Sequence, residues 1–246
     1  MKDGKSMILR IFRTLSVSLA MLTTVGTSTA VSADGLKEFF FGERDKDVTR
    51  NLAFQGFHRI SIEGIYELEV RVGGDFSVQV TGPKDELDEA RVSVEEETLV
   101  FDQNHADPAA SDHKGLGSLF RLHRRGLSVK ITMPRLTTLK ISGVGNVDVS
   151  GIASGLITID ISGIGNVELA GTCVLLKARI SGIGNLDAED LRCKIAEAQV
   201  SGIGDASFYA SKVAMVNASG IGGTSVHGSP ALLSGHADMF SDISEE

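Results

Sequence analysis

Lys140-Ile-Ser-Gly-Val-Gly-Asn146 is followed by Asp160-Ile-Ser-Gly-Ile-Gly-Asn166, Arg179-Ile-Ser-Gly-Ile-Gly-Asn185, Gln199-Val-Ser-Gly-Ile-Gly-Asp205 and Asn217-Ala-Ser-Gly-Ile-Gly-Gly223. The serines of the five copies stand 20, 19, 20 and 18 residues apart. A fixed period of this length marks a stack of repeats, each burying its apolar side only against its neighbours. Before each Ser the residues alternate, as in Leu139-Lys140-Ile141 and Ile159-Asp160-Ile161. After the motif they alternate again, as in Val147-Asp148-Val149 and Val167-Glu168-Leu169. Period-2 patterning of this kind specifies half-buried strands. Each coil therefore reads as two short strands joined by a Gly-x-Gly bend, with the glycines supplying tight backbone approach. The aliphatic residue between them (Val144, Ile164, Ile183, Ile203, Ile221) is expected to point into the core at the corner. The fold class is all-β: a β-helix-like solenoid of 18–20-residue coils, with an irregular β N-terminal part in the same domain.

Stacked coils place like residues in columns. Lys140, Asp160 and Arg179 form an outward column of alternating charge, and Asp148, Glu168 and Asp187 an outward acidic one. One carboxylate per coil makes a poor cation site, so the acidic column reads as a solvated face. Cys173 and Cys193 each lie eight residues before a motif Ser, at the same place on consecutive coils. Stacking brings their Cα atoms to ~5 Å, which predicts a disulfide between them.

Working outward, residues 1–33 have the form of a signal peptide. Lys2, Lys5, Arg10 and Arg13 precede the apolar run Leu15 to Val25, and Val31-Ser32-Ala33 offers a cleavage site, with Ala30 as the alternative. Residues 34–53 read as a flexible leader carrying Phe39-Phe40-Phe41. Residues 54–228 read as the single solenoid domain. Within it, Phe57 to Val80 and Val92 to Phe101 carry strand signals, with a hairpin turn at Gly73-Gly74-Asp75. Lys84 to Ala90 suits one helical turn, and Leu127 to Met133 a strand closed by Pro134. Residues 103–126 read as an insertion loop. His105, Asp107, Asp112, His113 and His123 fall in it beside Arg121, Arg124 and Arg125, but their spacing matches no metal-ligand signature. Residues 229–246 read as an acidic tail, loose or a partial cap.

The formal net charge of −8 argues against nucleic acid and anionic lipid as partners. Removal of the signal takes four basic residues with it, and no transmembrane segment is expected in what remains. No constellation of catalytic, cofactor-binding or metal-ligating residues is legible. The repeated Ile-Ser-Gly-x-Gly-Asn motif, the strand ending at Pro134 and the opening Ile60 to Val72 resemble the head GIN domain, a bacterial domain labelled an autotransporter adhesin head. The resemblance spans Phe54 to Gly228 and implies a β-helix-like fold in an exported envelope protein, with no catalytic residues to carry over. The chain departs from the motif at Asp205 and Gly223 and in its insertion. The expected function is a non-catalytic binding or adhesion module of the envelope, periplasmic or at the cell surface, offering flat faces to a protein or glycan. The alternatives are a structural protein self-assembling through solenoid ends, or an enzyme on polysaccharide.

Overall fold

The computed structural model describes residues 47–103, 126–238 and 241–245. The expected signal peptide, most of the leader and the His- and Arg-bearing part of the insertion lie outside the described residues. The described chain is all-β apart from one short helix. The regular part begins with β8 (Thr138–Ile141) and continues through β9 (Val144–Ile161), β10 (Val167–Ile180), β11 (Leu186–Val200), β12 (Ala206–Ala218) and β13 (Gly222–His227), where numbers follow chain order. These strands pair in parallel, each with the copy one repeat away: Ile161 with Ile180, Ile180 with Val200, Val200 with Ala218. Each repeat thus forms one rung.

The core columns are those the alternation specifies. Ile159, Ala178, Ala198 and Val216 are buried in file, as are Ile157, Leu176, Ala196 and Ala214. Both columns narrow from Ile or Leu to Ala in the middle rungs. The column Val149, Leu169, Ala188, Phe208, Val226 widens at the fourth rung, where Phe208 is fully buried in the rung that carries Ala214. Close packing demands that compensation, because an unfilled void loses dispersion contacts outright. Three successive rungs also hold a third short stretch beyond the two expected strands. Gly171-Thr172-Cys173 pairs with Ile152-Ala153-Ser154 on one side and with Leu191-Arg192-Cys193 on the other, after a register shift. Cys173 and Cys193 face each other there with Cα atoms 4.4 Å apart and are disulfide-bonded.

The N-terminal part adds two more rungs, made from residues far apart in sequence. β2 (Arg59–Glu63) and β3 (Ile65–Val72) form the rung that stacks on β8 and β9. β6 (Thr98–Asp102) and β7 (Leu127–Met133) form the rung beyond it, β6 pairing β2 and β7 pairing β3, again in parallel. The insertion therefore leaves the chain where the regular rungs have their glycine corner. Three antiparallel strands then close this end: β5 (Arg91–Glu95) on β6, β4 (Ser77–Gly82) on β7, and β1 (Val48–Leu52) on β4. The turn between β5 and β6 places Glu96 and Glu97 at φ +46° and +61°, as a two-residue hairpin of matching twist requires. The helix α1 (Lys84–Glu89) sits between β4 and β5.

Three expectations are corrected. Gly73 does turn the chain, with φ +106°, but β3 and β4 do not form a hairpin. β7 lies between them, because its apolar face, Val129 and Ile131, completes the rung and buries more than a two-stranded ribbon would. Residues 48–52 of the expected leader are a strand, whose partners run from Val78 to Gly82. In the expected tail, β14 (Leu232–Ala237) and β15 (Ser241–Glu245) continue the parallel stack on β12 and β13.

Candidate functional site

The repeated corner is where this surface departs most from an ordinary sheet protein. The strand alternation does not stop at the bend. In the first corner Ser142 is exposed, Gly143 partly covered, Val144 exposed, Gly145 partly covered, Asn146 exposed and Val147 buried. Glycine thus holds the two inward positions, hard against the neighbouring rung. A Cβ on Gly163 would stand 2.0 Å from the Gly143 carbonyl oxygen, and one on Gly165 1.7 Å from that of Gly145. No side chain fits at that distance, so the column is glycine for steric reasons, to which Gly165 adds a φ of +147°.

The same parity turns the aliphatic residue outward, contrary to expectation. Val144, Ile164, Ile183, Ile203 and Ile221 are 45 to 57% exposed. Consecutive members bridge in parallel, and each N–H donates to a glycine carbonyl one rung back, as Ile183 does to Gly163 (3.0 Å). Five rungs at ~4.8 Å put these side chains in a straight ridge about 19 Å long. Glycine on both sides leaves the ridge bare.

Its flanks are neutral apart from Asp205. The motif residues Ser142, Ser162, Ser181 and Ser201 each donate their hydroxyl to a carbonyl of the preceding rung, as Ser201 does to Ile180 (3.2 Å). On the other flank Oδ1 of Asn146, Asn166 and Asn185 accepts the N–H of the next rung's equivalent residue, at 3.3, 3.3 and 3.0 Å. Asp205 does the same for Gly223 at 2.8 Å. These residues join rung to rung, and they do so without adopting the left-handed backbone. Charge begins one column further out. Arg179 reaches Asp160 at 3.7 Å, and Lys177 reaches Glu197 at 3.3 Å.

In the N-terminal rungs the corner is closed differently. Oε1 of buried Gln103 accepts the Ile65 N–H at 2.7 Å, the bond that a glycine carbonyl accepts in the regular rungs. The Tyr66 hydroxyl lies beneath the first regular corner and donates to the Ile62 carbonyl (3.2 Å); burial pushes it above the ordinary tyrosine range. Glu69 heads the acidic column and is held by Lys130 at 2.7 Å and Arg71 at 2.6 Å. The Lys130 hydrogen bond keeps its carboxyl below the usual carboxylate range. Hydrogen bonds from Lys84 and Arg50 do the same for Asp88.

A second aliphatic column, Leu156, Leu175, Ile195, Val213 and Leu232, stands in register elsewhere on the rungs. Its ends are exposed and its middle is half-buried. No residue flagged the first ridge as exposed except through parity: the aliphatic sits two places from an outward Ser and two from an outward Asn. Among the described residues, no group of three His, Cys, Asp or Glu is arranged to hold a metal ion, and no helix is long and apolar enough to cross a membrane.

Residues 56–230 match the model of the family described as "Putative auto-transporter adhesin, head GIN domain". The chain belongs to this family. Head GIN membership covers every regular rung and the two N-terminal ones. A crystal structure of a putative adhesin from Bacteroides fragilis shares the fold, with a TM-score of 0.64 at 22% identity, over 82% of this chain and 97% of that one. A putative adhesin from Parabacteroides merdae aligns over 82% of this chain and 96% of that one at 13% identity, with a TM-score of 0.46. No curated protein matches the chain. Family and disulfide together point to an exported or envelope protein.

Proposed function

We propose that this head GIN protein is a non-catalytic binding module of the bacterial envelope. Its rungs wind as a β-solenoid, and its bare aliphatic ridge is the face offered to a protein or glycan partner. The observation that carries this reading is that five registered aliphatic side chains are all about half exposed, whereas the second aliphatic column is exposed only at its ends. Contiguous exposed apolar surface with polar borders is a mark of interaction sites. Parallel pairing at an offset of one repeat, maintained from Val144 to Ser244, supports the solenoid. The export signal read in residues 1–33 supports a location outside the cytoplasm, and the rigid stack presents the ridge without loop ordering on binding.

The test combines location and capture. Fractionation with external protease should find the protein beyond the inner membrane. Wild type should recover envelope protein or glycan that the triple variant Ile164→Ser, Ile183→Ser, Ile203→Ser does not. Equal recovery by the two removes the ridge from the function.

A further inference from the structure

We infer that the partner of the ridge is the same ridge on a second copy of this chain, and that the contact is weak singly and adhesive only in numbers. The inference rests on the ridge being a binding face and adds what it binds. Three observations carry it. The first is period. The five side chains repeat once per rung, at ~4.8 Å. A second copy carries apolar side chains at that same interval. Two such ladders can interdigitate along their whole length, as identical side chains do between paired sheets.

The second is the bareness of the flanks. Gly163, Gly165, Gly182 and Gly184 surround Ile164 and Ile183 with no side chain at all, and cannot acquire one. The aliphatic side chains therefore stand clear of their nearest neighbours in the chain, and an opposing aliphatic can pack against them from outside. The bordering Ser hydroxyls and Asn Oδ1 atoms already have partners along their own stack, so closing two ridges together strands none of those bonds. Asp205 is the one charge on the ridge's borders, so two ridges in contact bring few like charges together although the chain as a whole is acidic.

The third is area. Five half-exposed aliphatic side chains and their borders offer roughly 400–500 Å² per copy, about half of the ~800 Å² per partner that a stable complex buries. A ridge pair is therefore short-lived in dilute solution. Copies fixed side by side on one surface and facing a second such surface make many ridge pairs at once, and the effective concentration multiplies their strength.

The experiment coats beads with the purified protein and follows clustering as coating density rises. Wild-type beads should cluster above a threshold density, and beads carrying Ile164→Ser, Ile183→Ser, Ile203→Ser should need about tenfold more protein or never cluster. The substituted side chains are half in water, so circular dichroism should show the variant folded. As a second reading, single variants Ile183→Cys and Ser207→Cys are oxidised mildly at high concentration. The chain's own two cysteines are already bonded. Ile183→Cys, at the centre of the ridge, should yield a covalent dimer and Ser207→Cys should not. Wild-type beads that stay dispersed, or equal cross-linking by the two variants, overturn the second copy as partner. If dispersed wild-type beads still capture envelope material that triple-variant beads miss, the ridge stands as a binding face and only this choice of partner is wrong.

Discussion

The regular rungs from Thr138 onward and the two rungs ahead of them solve one problem in two ways. Every rung must satisfy the backbone at its corner. The regular rungs do it with each other: a glycine carbonyl accepts the next aliphatic N–H, and an Asn side chain ties the following rung. That solution propagates but never ends. The N-terminal rungs end it. Gln103 supplies a side-chain oxygen where the next carbonyl would be, and antiparallel β4, β5 and β1 occupy edges that parallel strands would leave open. An unpaired edge templates further strands, so a repeating stack needs such a stop. The difference teaches that the repeat motif encodes stacking alone, and that the irregular half of the sequence encodes where stacking stops.

Breaking the regular half should have the largest effect. Gly165→Ala puts a methyl 1.7 Å from the Gly145 carbonyl oxygen at φ +147°, so two rungs must separate. We expect a loss of roughly 3–5 kcal/mol in denaturant unfolding. Gly155→Ala, in β9 of the rung before, is the control, with nothing within 4 Å of its Cβ. It should fall within about 0.5 kcal/mol of wild type. Equal losses at the two sites would mean that the corner glycines are not set by rung-to-rung contact.

The disulfide ties two adjacent regular rungs, Cys173 to Cys193, across 20 residues of sequence. Replacing both with Ala should cost about 2–4 kcal/mol, chiefly by freeing the unfolded chain. The melting temperature should fall, and reductant should then cease to affect it. Gln103→Ala strikes the other half. It leaves the Ile65 N–H without its side-chain acceptor in a buried setting, for a loss of about 1–2 kcal/mol. The comparison sharpens if hydrogen exchange in this variant quickens at Ile65 and its neighbours while the amides of β10 and β11 stay protected. Uniform quickening would make the two halves one cooperative unit.

What could be read ahead of the structure follows the same division. Alternation around each Ser assigned the buried columns, the rung register and the pairing of Cys173 with Cys193, because all three depend only on period. The direction of Val144 and its equivalents was misread by treating the bend as a place where alternation lapses. Parity counted through the glycines, from outward Ser142 to outward Asn146, places Val144 outside. The N-terminal topology was not legible. Nothing local to Gly73 says that β7, more than 50 residues on, will lie between β3 and β4, since the choice is made by tertiary burial of Val129 and Ile131. Gln103 looked like the first residue of a loop, and only the missing carbonyl opposite Ile65 explains it.

The smallest effect belongs to the seam between the halves. β3 pairs the irregular β7 on one side and the regular β9 on the other, and Glu69 on it takes Lys130 from the irregular side. Its folded carboxyl titrates below the unfolded value, so the ionised form is the one that stabilises. That contribution is present above the unfolded carboxylate range, ~4.3 for Glu, and is lost as pH falls through the lowered folded value. Glu69→Gln should therefore lie no more than about 1 kcal/mol below wild type at pH 7, because the pair is solvent-bathed. The gap should shrink with added salt, and shrink again as acidification protonates the wild-type carboxyl. Thermal melts of both proteins across that range provide the check. A gap that widens on acidification would mean that Glu69 matters as a neutral group, and that packing alone, with no ion pair, holds the two halves together at β3.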